Sequence, residues 1–287
     1  MASAILPDRG VIELVGEEAG ALLDRLVTSE VDGVASGHAS FAALLTPQGK
    51  IIADFVVFKV QSGTFFLDCA ADCIRDLIKR LTMYRLRAKV TIVDAGERFA
   101  MCVGWAGTPM PADAVALAVD PRLPALGWRA VVRRDGMAAA DSSPDDYHAH
   151  RVALGVPEGG RDFVFNDAFP HEALMDQLGG VDFDKGCYVG QEVVSRMQHR
   201  GTARTRVVRL RLGAGEQPGG QADILAGDRS LGRTGSVAGD YALATVRLDR
   251  AADALTGGQP ILAGGVPVAF DKPDWVRFPY PADLAAA

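Results

Sequence analysis

The sequence predicts an α+β protein: antiparallel sheets carrying helices over roughly the first two thirds, then a small β-barrel. Three observations point there. Apolar runs up to residue 105 follow the order strand–strand–helix–strand–strand, which suits an α+β sandwich and not a doubly wound parallel sheet. Near residue 202 the chain changes to short β-rich runs separated by glycine turns, the pattern of a small barrel or sandwich. The length of 287 residues holds two domains, at roughly 150 residues each. The expected boundary gives residues 1–205 as one region and 206–287 as the barrel.

The elements follow in order. Residues 10–15 alternate as a strand. Residues 17–27 read as a helix, with Glu17 and Glu18 near its positive end and Leu22, Leu23 and Leu26 on one face. FAALLT and IIADFVVFKV are strands around the Pro47-Gln48-Gly49-Lys50 turn, and Gln61-Ser62-Gly63 turns the chain into TFFLDC. A helix over 70–85 places Ile74, Leu77, Ile78 and Leu81 together, and strands over 88–93 and 99–105 follow. Residues 111–119 read as a helix, WRAVVRR as a strand and DDYHAHRVAL (145–154) as a helix. The barrel strands are RTRVVRLRL, LGRTGSVAG, YALATVRL and VPVAF, with turns at Gly213–Gly215, Gly219-Gly220, Gly257-Gly258 and Gly264-Gly265.

Composition excludes several classes. Hydrophobic residues at 48% with 23% charged rule out a disordered chain. A net charge of −6 and a pI of 5.4 speak against general nucleic-acid coating, so direct nucleic-acid binding is not expected. No run is long and apolar enough for a bilayer, and no basic segment precedes an apolar one at the N-terminus, so neither a membrane nor export is expected. Four cysteines are too few for a disulfide scaffold and suit a reducing compartment; the expected location is the cytoplasm.

Val181–Gly201 (VDFDKGCYVGQEVVSRMQHRG) carries the most chemistry. Two glycines bracket Cys187-Tyr188, and the helix-like QEVVSRMQ follows at once. Its free N–H groups and positive end would face the loop. With the Lys185 ammonium nearby, both influences favour a thiolate, which makes Cys187 the reactive candidate among the four cysteines. The alternative is a tight turn around a small buried thiol.

The string KGCYVGQE resembles the K-G-C-Y/F-x-G-Q-E motif of the YgfZ family, folate-binding proteins related to the T-protein of the glycine cleavage system and to mitochondrial iron–sulfur assembly factors. RVALGVPEGGRD, Pro170-His171-Glu172 and GGVDF are similar to the family's central region, and VGEEAGALLDRLVTSEV with LLTPQGKIIADF to its N-terminal region. The resemblance implies a T-protein-like three-lobed ring: a split N-terminal lobe, a ferredoxin-like lobe and a C-terminal β-barrel around a channel. It implies tetrahydrofolate, or a one-carbon derivative, in that channel with Cys187 at its edge. The implied role is support of iron–sulfur cluster assembly or repair in client enzymes, tRNA-modifying ones included, together with assembly proteins. Cys187 and Lys185 are then the chemical residues, and Arg151, Tyr188, Gln191, Glu172 and Asp54 the folate contacts.

The sequence also departs from the T-protein pattern. Where that family has Arg-x-Glu-x-Gly, this chain has Arg151-Val152-Ala153-Leu154-Gly155, and Ala153 cannot accept hydrogen bonds from a pterin. This weighs against the rival reading, a folate-dependent aminomethyltransferase or demethylase, although Asp54 and Glu172 keep an acid available to it. Arg151 is either a folate contact or an arginine paired within its lobe; Arg9 is a lesser candidate of the same kind. Glu172 either faces the channel or caps a helix. Asp54 interrupts an apolar strand, so it lines a cavity or sits on an edge strand. Cys69 and Cys73 lack a second pair and read as core, so no metal site is expected. His148 and His150 read as a solvated helix start. Arg196, Arg200, Arg204, Arg206, Arg209 and Arg211, with His199, form a basic segment that is either an anion-attracting surface or a set of solvent-facing stems.

Overall fold

Alternating apolar strands build two antiparallel sheets in the N-terminal part of the chain and a closed barrel in the C-terminal part. The computed structural model describes residues 1–135, 140–201, 203–213 and 217–286. They fall into two units: Met1–Tyr147 with Phe165–Pro170 and Leu178–Ser195, and His148–Val164 with His171–Gln177 and Arg196–Ala287.

The first unit contains β1 (Ala2–Ile5), β2 (Arg9–Val15), α1 (Ala19–Asp24), β3 (His38–Leu45), β4 (Ile51–Gln61), β5 (Thr64–Ala70), α2 (Ile74–Arg85), β6 (Thr91–Asp94), β7 (Phe99–Trp105), β8 (Ala116–Val119) and β9 (Trp128–Arg133). One sheet has the order β3-β4-β5-β2-β6, the other β1-β7-β9-β8. In the first sheet β4 is buried continuously from Ile51 to Phe58, which is why it reads as an unbroken apolar run around Asp54. Leu22 and Leu23 of α1 and Leu77 and Leu81 of α2 join Phe55, Phe65 and Leu67 in one core cluster, so the helical faces expected from the 3.6-residue period are the ones that pack.

Two local expectations change, and one strand is added. The helix expected over 17–27 shortens to α1, because Glu17 and Glu18 precede it and the Asp24 carboxylate accepts the Val31 amide at 2.7 Å, turning the chain away. Residues 111–119 form no helix. Ala116–Val119 is β8, which pairs antiparallel with Trp128–Val131 of β9. A four-residue Ala/Leu/Val run suits either state, and the open edge of β9 decides for strand. The N-terminal Ala2–Ile5 pairs with β7, a strand that periodicity over so few residues does not reveal.

α3 (Pro144–Leu154) and α4 (Gln191–Arg200) start in the first unit and end in the second. The second unit then contains β10 (Thr205–Leu212), β11 (Asp223–Ala226), β12 (Arg229–Ala238), β13 (Tyr241–Arg247), α5 (Leu248–Thr256), β14 (Ile261–Ala263), β15 (Val266–Phe270) and α6 (Pro281–Ala285). The strands close as β10-β13-β12-β11-β14-β15, with β15 returning to β10 through Leu210 and Phe270. Closure leaves no unpaired sheet edge. Of the turn expected at Gly213–Gly215, residues 214 and 215 lie outside the described residues. Among the described residues, no helix is long and apolar enough to cross a membrane.

Candidate functional site

The Lys185–Gln191 motif lies in the first unit, on a loop sewn to the segment after α1. Thr28 Oγ1 donates to the Gly180 carbonyl at 2.6 Å, and the Asp182 amide donates back to the Thr28 carbonyl at 2.9 Å. The Asp182 carboxylate then takes the amides of Asp184 (2.9 Å) and Lys185 (3.2 Å), folding the chain into a tight turn ahead of the cysteine. Lys185 supplies the strongest tie. Its side chain is 6% exposed, and Nζ donates to the carbonyls of Asp24 (2.8 Å), Val27 (2.9 Å) and Ser29 (2.8 Å). Burial lowers its pKa, against the opposing pull of Asp24, Asp182 and Glu30. The three donors of the ammonium are therefore committed to main-chain oxygens, and none makes a hydrogen bond to Cys187. Thr28 and Ser29, which complete this arrangement, carry no signal in the sequence beyond being small polar residues after a helix.

The two glycines of the motif differ in purpose. Gly186 has open space where a Cβ would stand. Gly190 has φ +83°, and a Cβ there would lie 2.6 Å from the Thr46 carbonyl and 3.1 Å from Gly49 Cα. The end of the motif thus rests backbone-to-backbone on the β3–β4 turn. Gly190→Ala is expected to cost about 1–3 kcal/mol from left-handed backbone strain plus collision, while Gly186→Ala is expected to be neutral within about 0.5 kcal/mol. Chemical denaturation of both variants checks the contrast.

Cys187 is the exposed thiol of the four free cysteines; Cys69 is buried and Cys73 and Cys102 are half-buried. Burial pushes Cys69 far up in pKa, and Cys73 and Cys102 up to about 11, with the Asp54 charge adding to the rise at Cys73. These three thiols are the inert ones. Tyr188 turns inward, its phenol raised to about 12 by burial and by Asp182, with the Lys185 ammonium 5.7 Å from its ring centroid. Gln191 opens α4, and its amide donates to the Tyr188 carbonyl at 3.3 Å. Asp54 belongs to the same unit. It is 3% exposed on β4, which lies between β3 and β5, so the edge-strand alternative is set aside.

Arg9 is buried, donating from Nε to Asp68 Oδ1 at 2.7 Å, and Arg129 grips the other oxygen of Asp68. Arg129 and Arg122 meet at the Tyr147 hydroxyl, and Arg122 chelates Asp120. Arg9 is thus one end of a buried ionic chain joining the two sheets, and the folate contact considered for it is corrected to this packing role. The sequence signal was present in Asp68, a carboxylate in the apolar strand TFFLDC, of the same kind that pointed to Asp54.

Arg151 and Glu172 belong to the second unit. Arg151 is 0% exposed. Its guanidinium donates to Asp162 Oδ2 (2.6 Å), Ser236 Oγ (2.7 Å), His148 Nδ1 (3.0 Å) and the Val156 carbonyl (3.1 Å), with Glu158 at 3.2 Å. Asp162 also accepts the amides of Glu158 and Ser236. Of the two readings given for Arg151, the structure shows the pairing inside its own unit. His148 is corrected from a solvated helix start to a buried member of this network. Glu172 is half-buried, and its carbonyl accepts the Val207 amide at 2.8 Å. The basic segment divides. Arg206 pairs with Asp176 and Arg209 with Asp271, whereas Arg200, Arg204 and Arg211 are exposed and have no ion-pair partner among the described residues.

Residues 8–103 match the GCVT N-terminal domain, and residues 204–278 match the CAF17 C-terminal beta-barrel domain. The human mitochondrial iron–sulfur cluster assembly factor IBA57 is 30% identical over 297 residues, covering 91% of this chain and 83% of that protein. The mouse protein of the same name is 30% identical, covering 84% and 76%. The chain belongs to the IBA57 family.

An IBA57 homolog of Mycosarcoma maydis is 33% identical over 226 residues; there the chain spans 56% of the relative's length, and 52% of the Neurospora crassa homolog. The aminomethyltransferase T of the glycine cleavage system from Bartonella henselae shares the fold, with a TM-score of 0.71 at 13% identity, covering 96% of this chain and 86% of that one. The mixed α/β, T-protein-like fold with a closed six-stranded C-terminal barrel is thus the one expected from the motif. The motif resemblance is met at the level of the IBA57 assembly factors it included. The cytoplasmic location is corrected: the IBA57 relatives are named as mitochondrial. A low cysteine count reports a reducing environment, and more than one compartment is reducing.

Proposed function

We propose that this chain is an iron–sulfur cluster assembly factor whose working group is the Cys187 thiol. The observation that carries the reading is that this thiol stands exposed on a loop fixed by Lys185, while the other three are withdrawn and raised in pKa. Relatives named for iron–sulfur cluster assembly support it. Among the described residues no group of three or more His, Cys, Asp or Glu could hold a metal ion. A cluster in transit would accordingly take one thiolate from Cys187 and the others from the protein that gives or receives it. Client enzymes, tRNA-modifying ones among them, are the expected recipients.

The proposal includes a reduced folate, which the T-protein-like fold supports at the level of ligand class. Asp54, a carboxylate on an apolar strand, is the acid proposed to meet the N–H groups or a developing positive charge of a pterin amine. Tyr188 and Gln191, of the same unit, are the accompanying proposed contacts. When bound, the folate would supply one-carbon or redox chemistry; the chain's part is to hold it and to keep Asp54 and the thiol in fixed positions.

Cys187→Ser tests the central claim. Mixed with a [2Fe–2S]-loaded assembly protein, the wild type is expected to draw the cluster into a shared complex, read by visible circular dichroism. The variant should fall to background with an unchanged melting point, because the replaced group is exposed. Full cluster uptake by Cys187→Ser would remove the thiol from the mechanism. Calorimetry with tetrahydrofolate, and an approximately tenfold weaker affinity in Asp54→Asn, tests the folate separately.

A further inference from the structure

The second unit contains a hollow that cluster handling does not use. It encloses about 360 Å³ among residues from the end of α4, the chain entering β10, the start of α5 and the segment around α6. That is the scale of a small-molecule site. Met197, Leu248, Phe278 and Leu284 give it apolar walls.

Several of its polar side chains are engaged with protein partners. His171, 1% exposed, places Nε2 at 3.0 Å from Gln198 Oε1, and burial lowers its pKa against the opposing pull of Asp176. Arg206 grips Asp176 at 2.9 and 3.0 Å and lies over the Phe278 ring at 4.5 Å. Asp249 is chelated by Arg247 at 3.1 and 2.7 Å. Arg204 is an exposed guanidinium on the lining that makes no side-chain hydrogen bond or close ion pair among the described residues, although its charge helps lower the pKa of Asp249.

We propose that this hollow binds an amphipathic monocarboxylate, with its hydrocarbon body against Met197, Leu248 and Phe278 and its head on Arg204. A polar body laid against these apolar walls would lose its hydration without replacement. A cationic head would face the Arg204 charge. A carboxylate matches the planar guanidinium fork and stays partly in water at the rim.

The test is a titration of the full chain, carrying ¹³C-methyl methionine, with octanoate, octanol and octylamine. Octanoate is expected to bind saturably and shift the Met197 methyl resonance, octanol about tenfold more weakly, and octylamine not at all. Arg204→Gln should reduce octanoate to the octanol level and leave octanol unchanged. Ala203→Trp, which fills the hollow from its lining, should abolish both with the melting point retained. Equal affinities for octanoate and octanol, an unmoved Met197 methyl, or octanoate binding indifferent to Arg204→Gln would overturn the proposal.

Discussion

Lys185→Met is expected to release the motif loop from the segment after α1 and to disable the protein. The substitution keeps the length and apolar stem of the side chain but removes the donor shared by the carbonyls of Asp24, Val27 and Ser29. Losing a charge-assisted donor to several sheltered acceptors costs about 2–4 kcal/mol. Hydrogen exchange should rise at residues 24–31 and 182–190 and stay unchanged in the barrel. Lys185→Arg is expected to rescue poorly, because three oxygens converging on one point suit a compact ammonium and not a planar fork. A second readout separates anchoring from thiol activation. If the ammonium served to hold Cys187 as thiolate, its removal would slow alkylation of that thiol by iodoacetamide at neutral pH. Anchoring predicts an alkylation rate that is unchanged or faster. Slower alkylation with unchanged hydrogen exchange would return Lys185 to the chemistry.

Arg151→Met is expected to have the largest effect on stability. It removes the guanidinium that pairs with Asp162, whose carboxylate is fully buried, and with Glu158. An uncompensated charge of this kind costs about 3–5 kcal/mol. In a unit of this size the melting point should fall by roughly 10–30 °C. Arg151→Lys should recover little, since one ammonium cannot reach His148, Val156, Asp162 and Ser236 together. Arg151→Met combined with Asp162→Asn should be less damaging than the sum of the two, because the second change removes the charge stranded by the first. A melting point within about 2 °C of wild type for Arg151→Met would show that the buried network contributes nothing.

Much of the fold was legible in local pattern. The Pro47–Lys50 turn between two apolar runs, the one-sided leucines of α1 and α2, and the glycine-punctuated barrel strands each occupy a short contiguous stretch. Where a stretch was too short to show its period, as in Ala116–Val119, the open edge of a neighbouring strand chose the state. The motif drew attention to Cys187, and the structure leaves that side chain exposed.

The partners of the charged residues were not legible. Lys185 looked like a neighbour of the thiol because it lies two residues away in sequence, yet its donors go to carbonyls 156 to 161 residues earlier. Arg151 looked like a ligand contact because a family motif places it there, yet one of its bonds reaches Ser236, 85 residues onward. The chain alone determined its secondary-structure pattern, its barrel and the loop that displays a cysteine, since hydrophobic period and glycine turns act between near neighbours. Only the tertiary structure decided what each buried charge is for. A buried charge must find its counter-group in space, and folding sets that distance whatever the separation along the chain.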